Sequence, residues 1–168
     1  MTILESKKCM HFIERLNQEY ELNKESKVFV NNLNRYFDEF GHDGESLMLL
    51  VKNIKCSEEQ KQKIVLMAQD RVLTNKDMRY VFQIAKYVKY VDLEKFVPAK
   101  LPFASNSELI KLAHIKGINV MAIVNKFTDE ENLNALLDLY KVVPLKYKKS
   151  ISEDIKYLRE EGVVISQY

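Results

Sequence analysis

The feature that most constrains this chain is a phrase that recurs along it. Three times an apolar cluster closes on a small or aromatic residue followed by a basic one. The copies are Val81-Phe82-Gln83-Ile84-Ala85-Lys86, Leu109-Ile110-Lys111-Leu112-Ala113-His114 and Leu136-Leu137-Asp138-Leu139-Tyr140-Lys141. Ile84, Leu112 and Leu139 align at separations of 28 and 27 residues, and a looser copy, Met48-Leu49-Leu50-Val51-Lys52, lies 33 residues before Ile84. Periods of this length mark supersecondary units that cannot bury an apolar face alone and must stack on their neighbours. The apolar residues of the phrase are therefore expected in the core.

The spacing is helical and the punctuation is sparse. Four glycines and three prolines in 168 residues are too few for the turns of a sandwich or barrel. The fold class expected is all-α, with about ten short helices in antiparallel pairs, arranged as an α-solenoid or an irregular bundle. The length suits a single domain over 1–168. Within it we expect a helical hairpin over 1–44, four helix pairs over 45–161 and a tail over 162–168. The tail is apolar and β-branched, suited to docking as an extended segment.

Helix starts are signalled by four pairs that fit a capping box: Ser57/Gln60, Ser105/Glu108, Thr128/Glu131 and Ser150/Glu153. In this motif the hydroxyl accepts from the third helical N–H while the acid or amide reaches back to the cap's own N–H. With apolar periodicity, they predict helices over about 3–21, 25–39, 45–55, 57–72, 75–91, 92–97, 106–116, 118–127, 129–142 and 151–161. Gly41-His42-Asp43-Gly44 reads as a turn, Pro98 to Pro102 as a break and Gly117 as a left-handed cap. The resulting layout resembles HEAT-like α-helical repeats, with units shorter than is typical of that class. The resemblance implies a binding scaffold.

Several constellations bear on chemistry. The order His11, His42-Asp43, then Asp70 or Asp92 resembles the ligand set of HD-domain phosphohydrolases, in which a divalent metal activates water. That resemblance implies His11, His42 and Asp43 as ligands. In that family the His-Asp pair ends an apolar helix, whereas here it stands between two glycines, which also suits a solvated turn. Cys9 and His11 are two apart, so on a helix they point to different sides and do not form a nucleophile–base pair. Two distant cysteines, Cys9 and Cys56, make no zinc pattern. No phosphate-binding glycine loop, nucleophile elbow or His-Glu-x-x-His motif is present. Apart from that resemblance no catalytic residue, metal site or cofactor is expected.

Basic residues interleaved with tyrosine form the remaining pattern. On a helix over 75–91, Tyr80, Gln83, Tyr87 and Tyr90 would make one ridge, and Arg79, Phe82, Lys86 and Lys89 its neighbour. A second cluster, Lys146-Tyr147-Lys148-Lys149, falls between the last two predicted helices. Such sets serve protein interfaces, where tyrosine is enriched, or nucleic acid, where cations neutralise phosphates and rings stack on bases. They also arise when tyrosines pack and lysines stay solvated. The net charge of +2 gives no strong field toward nucleic acid, although residues 57–103 carry nine basic against six acidic groups. The expectation is a non-catalytic protein-binding module, in one form an inhibitor or immunity-type protein that neutralises a toxin or enzyme. Its partner-binding residues would be Arg79, Tyr80, Lys86, Tyr87, Lys89, Tyr90, Lys146, Tyr147, Lys148 and Lys149. Nucleic-acid binding through the same clusters is the alternative, and an HD-like phosphohydrolase the minor one. No apolar run reaches a membrane span and no signal peptide opens the chain, so a cytoplasmic location is expected.

Overall fold

Capping chemistry sets most of the helix starts in the computed structural model, which describes residues 1–24 and 26–165. Thr2 and Ser105 each make a full capping box, with Glu5 and Glu108. Ser26 and Ser57 cap from the side chain alone, accepting from Phe29 N and Gln60 N. Asp43, Asp77, Asn119 and Asn132 supply further caps. The described residues form ten α-helices: α1 (Ile3–Leu22), α2 (Lys27–Phe40), α3 (Gly44–Asn53), α4 (Glu58–Thr74), α5 (Met78–Ile84), α6 (Phe96–Lys100), α7 (Asn106–Ala113), α8 (Val120–Asp129), α9 (Leu133–Val142) and α10 (Leu145–Glu160). A 3-10 turn at Leu93–Lys95 precedes α6, and no strand occurs among the described residues. The protein is all-α.

The contacts divide the chain into two compact units, Met1–Asp92 and Leu93–Tyr168. In the first, α1 packs on α2 and α3, and α3 on α4 and α5. Its core is centred on Cys9, Ile13, Leu16, Phe29, Leu50, Val51, Ile64, Ala68, Val81 and Ile84. In the second, α7 packs on α9 and α8 on α10, with α9 against both α8 and α10. Its core includes Phe96, Leu112, Ile123, Phe127, Leu136 and Leu139. In both units, alternate helices stack, a layout compatible with helical repeats.

The recurring phrase maps onto this layout. Its copies lie on α3, α5, α7 and α9, the helices that stack in register as α3 on α5 and α7 on α9. Ile84, Leu112 and Leu139 are fully buried, and Met48 is 2% exposed. Burial of each such side chain contributes roughly 1.5–3 kcal/mol. The basic residue that closes each copy falls at or just past a helix C-terminus: Lys52, Lys86, His114 and Lys141. Positive charge there complements the helix dipole.

Several sequence expectations are corrected. Periodicity predicts helix to residue 91, but α5 ends at Ile84. Beyond it the chain turns, with Lys86 N donating to Gln83 O at 3.2 Å and Tyr90 N to Tyr87 O at 2.8 Å. The cause is a long-range anchor. The buried Gln69 amide accepts from Asp92 N at 2.8 Å and donates to Asp92 O at 3.0 Å. Valine and tyrosine are mediocre helix formers, so this anchor prevails and leaves Val88 exposed. The Pro98 break is absent, because Pro98 sits in the first turn of α6, where its missing N–H would have no partner in any case.

Of the four predicted capping boxes only Ser105/Glu108 forms in full; Ser57 caps α4 without the return bond from Gln60, and Thr128 and Ser150 cap no helix. Thr128 lies in the last turn of α8, where its hydroxyl bonds Val124 O at 3.0 Å and Asp154 Oδ2 at 3.1 Å. Glu131 takes a left-handed φ of 53° and the α9 cap passes to Asn132, which accepts from Ala135 N. Asp129-Glu130-Glu131 therefore ends α8 rather than opening α9. Ser150 lies inside α10, because Pro144 holds Val143 extended and starts that helix at Leu145. Gly44, expected in a turn, is the first residue of α3. Gly117 does adopt positive φ, at 95°. In the C-terminal tail, Val164 and Ile165 are exposed, and residues 166–168 lie outside the described residues.

Candidate functional site

The truncation of α5 dissolves the expected ridge over 79–90 and distributes its residues. Tyr80 is 7% exposed and packs against Gly44, where a β-carbon would come within 2.4 Å of its ring. It is an interior residue of the first unit. Arg79 lies over the Tyr80 ring at 4.5 Å and pairs with Asp77 at 3.4 Å. Tyr87 is half-buried, with the Lys61 ammonium 5.8 Å from its ring centre.

Lys89 and Tyr90 converge on one carboxylate. Lys89 Nζ reaches Glu58 Oε2 at 2.5 Å, and Tyr90 donates to the same oxygen at 2.7 Å. The hydrogen bonds from Lys89 and then Tyr90 hold the Glu58 carboxyl below its ordinary range. In return, the hydrogen bond to Glu58 raises both the Lys89 ammonium and the Tyr90 phenol. Glu58 and Glu59 stand in the first turn of α4, beside the α5 C-terminal segment. No sequence pattern signals this pairing, since residues 58 and 89 are joined only by the fold. Of the six residues expected on this segment, Lys86 is left exposed and outside these pairings.

The second cluster belongs to the other unit. Lys146, Tyr147, Lys148 and Lys149 are not an interhelical segment. They form the opening turns of α10. The Lys146 ammonium lies 4.9 Å from the Tyr147 ring centre and Lys148 lies 4.8 Å from that of Tyr140. None of Lys146, Lys148 and Lys149 forms an ion pair with a described residue. α10 has no acidic residue in its first turn, and Pro144 offers no side-chain cap.

Tyr147 and Lys146 help line a groove of about 550 Å³ between the α7–α8 loop and the α9–α10 corner. Ile115, Ile118, Val142, Val143 and Pro144 supply its apolar lining, and His114 and Lys116 its other polar groups. Sequence reasoning found the 146–149 half of this edge. It missed 114–118, because a lone histidine and lysine around Gly117 carry no motif.

The candidate enzymatic groups are placed differently. Asp43 caps α3, accepting from Glu45 N at 3.1 Å and from Ser46 Oγ at 3.2 Å. His11 and His42 are both exposed. Among the described residues, no three His, Cys, Asp or Glu side chains gather in a way that could hold a metal ion. Cys9 is fully buried and donates to Ser46 Oγ at 3.6 Å, and Tyr36 donates to Ser46 O at 2.7 Å. Burial drives the Tyr36 phenol far above its ordinary range, with Cys9 adding to the shift. This is a closed structural network. Both cysteines are free thiols. No helix among the described residues is long and apolar enough to cross a membrane.

Comparison with protein-family models, curated proteins and solved structures finds no match to this chain.

Proposed function

We propose that this protein is a non-catalytic binding module of HEAT-like layout, whose partner is another protein that it engages through basic, tyrosine-bearing helix edges. An inhibitor or immunity-type role, neutralising a toxin or enzyme, is the concrete form. The observation that carries the reading is the use made of the repeat. Every copy of the phrase is spent on stacking, and the chemically distinctive residues are left at helix ends, as in scaffolds that present a surface.

Nucleic acid is the second reading, favoured by Lys146, Lys148 and Lys149, which form no ion pair with a described residue. Against it, Lys89 is committed to Glu58, and two tyrosine faces of the α9–α10 edge carry lysines.

Tagged full-length protein purified from cells that naturally express it tests the proposal. A stoichiometric protein partner, whose activity falls at a one-to-one ratio, is the expected result. Recovery of nucleic acid alone, released steeply by salt, would replace the first reading with the second.

A further inference from the structure

The two units differ in the charge carried where their helices begin. In each, a basic residue closes the phrase at or just past a helix C-terminus, and the helices that begin nearby differ in the charge of their first turns. In the first unit α4 begins with Glu58 and Glu59, and Glu58 takes up Lys89. In the second unit neither α8 nor α10 has an acidic residue in its first turn. Segments 109–119 and 139–152, which meet at this edge, contain six lysines and one histidine with no aspartate or glutamate. The helices run back and forth, so Glu108, Asp129, Glu130, Glu131, Glu160 and Glu161 stand at the other helix ends, while Asp138 within α9 reaches Lys141 at 3.4 Å.

This arrangement costs the fold something. Lysines in the opening turns of α10 oppose its dipole, and α7 and α9 already carry Lys111 and Lys141 in their last turns. Packing does not require Lys116, Lys146 or Lys149, which are exposed. Lys116 and Lys146 line the apolar-floored groove, and Leu145, in the chain between the lining residues Pro144 and Lys146, is 84% exposed.

We propose that this groove seats an acidic segment of a partner protein. Carboxylates on the segment would meet Lys116, Lys146 and Lys149, and an apolar side chain would cover the floor beside Leu145. A protein segment fits better than nucleic acid on two counts. The floor is aliphatic, and the rings of Tyr140 and Tyr147 lie under lysine ammoniums rather than open for stacking. The inference rests on the protein-binding reading above and names its surface and the chemistry of its partner.

The test uses the full chain and a short fluorescent peptide rich in glutamate with a central leucine. Its controls are the same peptide with glutamine for every glutamate, and a single-stranded RNA of equal charge. Fluorescence anisotropy at low and moderate salt reads the affinity. The acidic peptide should bind and the glutamine peptide should not. Lys116→Glu with Lys146→Glu should weaken binding by about tenfold or more, while Lys8→Glu on the exposed face of α1 leaves it unchanged. Lys116→Gln with Lys146→Gln provides a milder version, and circular dichroism checks that each variant is folded. Equal binding by wild type and the double variant overturns the groove, as does failure of the acidic peptide to bind at low salt. Tighter binding of the RNA through the same lysines overturns the choice of occupant. Each of these results leaves a co-purified protein partner standing, whereas lack of any such partner defeats the parent reading.

Discussion

Substituting Gly44 by alanine tests whether Tyr80 is an interior packing residue. Gly44 opens α3, and its α-carbon lies under the Tyr80 ring of α5. A β-carbon there would sit 2.4, 2.6 and 2.9 Å from three ring atoms. Ordinary contact begins near 3.4 Å, so the ring must retreat by about 1.0 Å. The ring is buried, so α5 must shift with it against α3. Overpacking of this kind costs about 1–3 kcal/mol. The usual gain of alanine over glycine in a helix, about 0.5–1 kcal/mol, offsets part of it. The net destabilisation expected is about 1–2 kcal/mol. In a unit of this size that is roughly 4–16 °C of melting temperature, read by circular dichroism at 222 nm. The decisive measurement is a double-mutant cycle. With Tyr80→Val as background, Gly44→Ala should be neutral or slightly stabilising, because nothing opposes the methyl group. If Gly44→Ala costs the same in both backgrounds, the wedge argument fails and Tyr80 regains its place as a candidate surface residue.

The corrected caps make a second prediction. Asn132→Ala should cost about 0.5–2 kcal/mol in urea unfolding, and Ser150→Ala should stay within about 0.5 kcal/mol. The reverse order would restore the boundaries read from sequence. Titration supplies a third. The folded state holds the Tyr36 proton far more tightly than the unfolded chain does, so that stability is complete below the ordinary phenol range and is lost as pH rises above it. Absorbance at 295 nm should show one tyrosine ionising only as helical signal disappears; smooth titration of all tyrosines in folded protein would refute this. Glu58 has the opposite sign. Its depressed carboxyl contributes above the ordinary carboxylate range and loses that contribution as pH falls through its folded value. By NMR, Lys89→Ala should move the Glu58 midpoint upward.

Fold class and core were legible because both rest on local periodicity. Ile84, Leu112 and Leu139 announce themselves by spacing, and all three are buried. Helix ends were less legible where a distant side chain decides them. Nothing near residue 91 reveals that Gln69 will clasp Asp92 and stop the helix seven residues early. The capping pattern at Thr128/Glu131 is a valid motif that loses to Asn132 only because α8 continues through it. The expected binding clusters suffered likewise. Arg79 to Tyr90 read as two neighbouring ridges of one helix, but the chemistry of Lys89 and Tyr90 depends on Glu58, 31 residues before Lys89. Lys146, Lys148 and Lys149, in contrast, form no ion pair with a described residue.

That contrast bears on where information about function resides in a repetitive chain. The phrase must be similar in every copy, because each copy answers the same demand, an apolar face to stack and a positive charge at a helix C-terminus. Residues under that demand cannot also distinguish one partner from another. The helix that starts beside each copy is under weaker constraint, needing only a start. At α4 the start is ordinary, a serine cap followed by two glutamates that favour the dipole, the first of which also takes up Lys89. At α10 a proline start and three lysines oppose the dipole and leave the edge charged. Stability alone would select against the second arrangement. A departure from the repeat that costs stability, lies next to a groove and concentrates one sign of charge is where selection for binding would leave its mark.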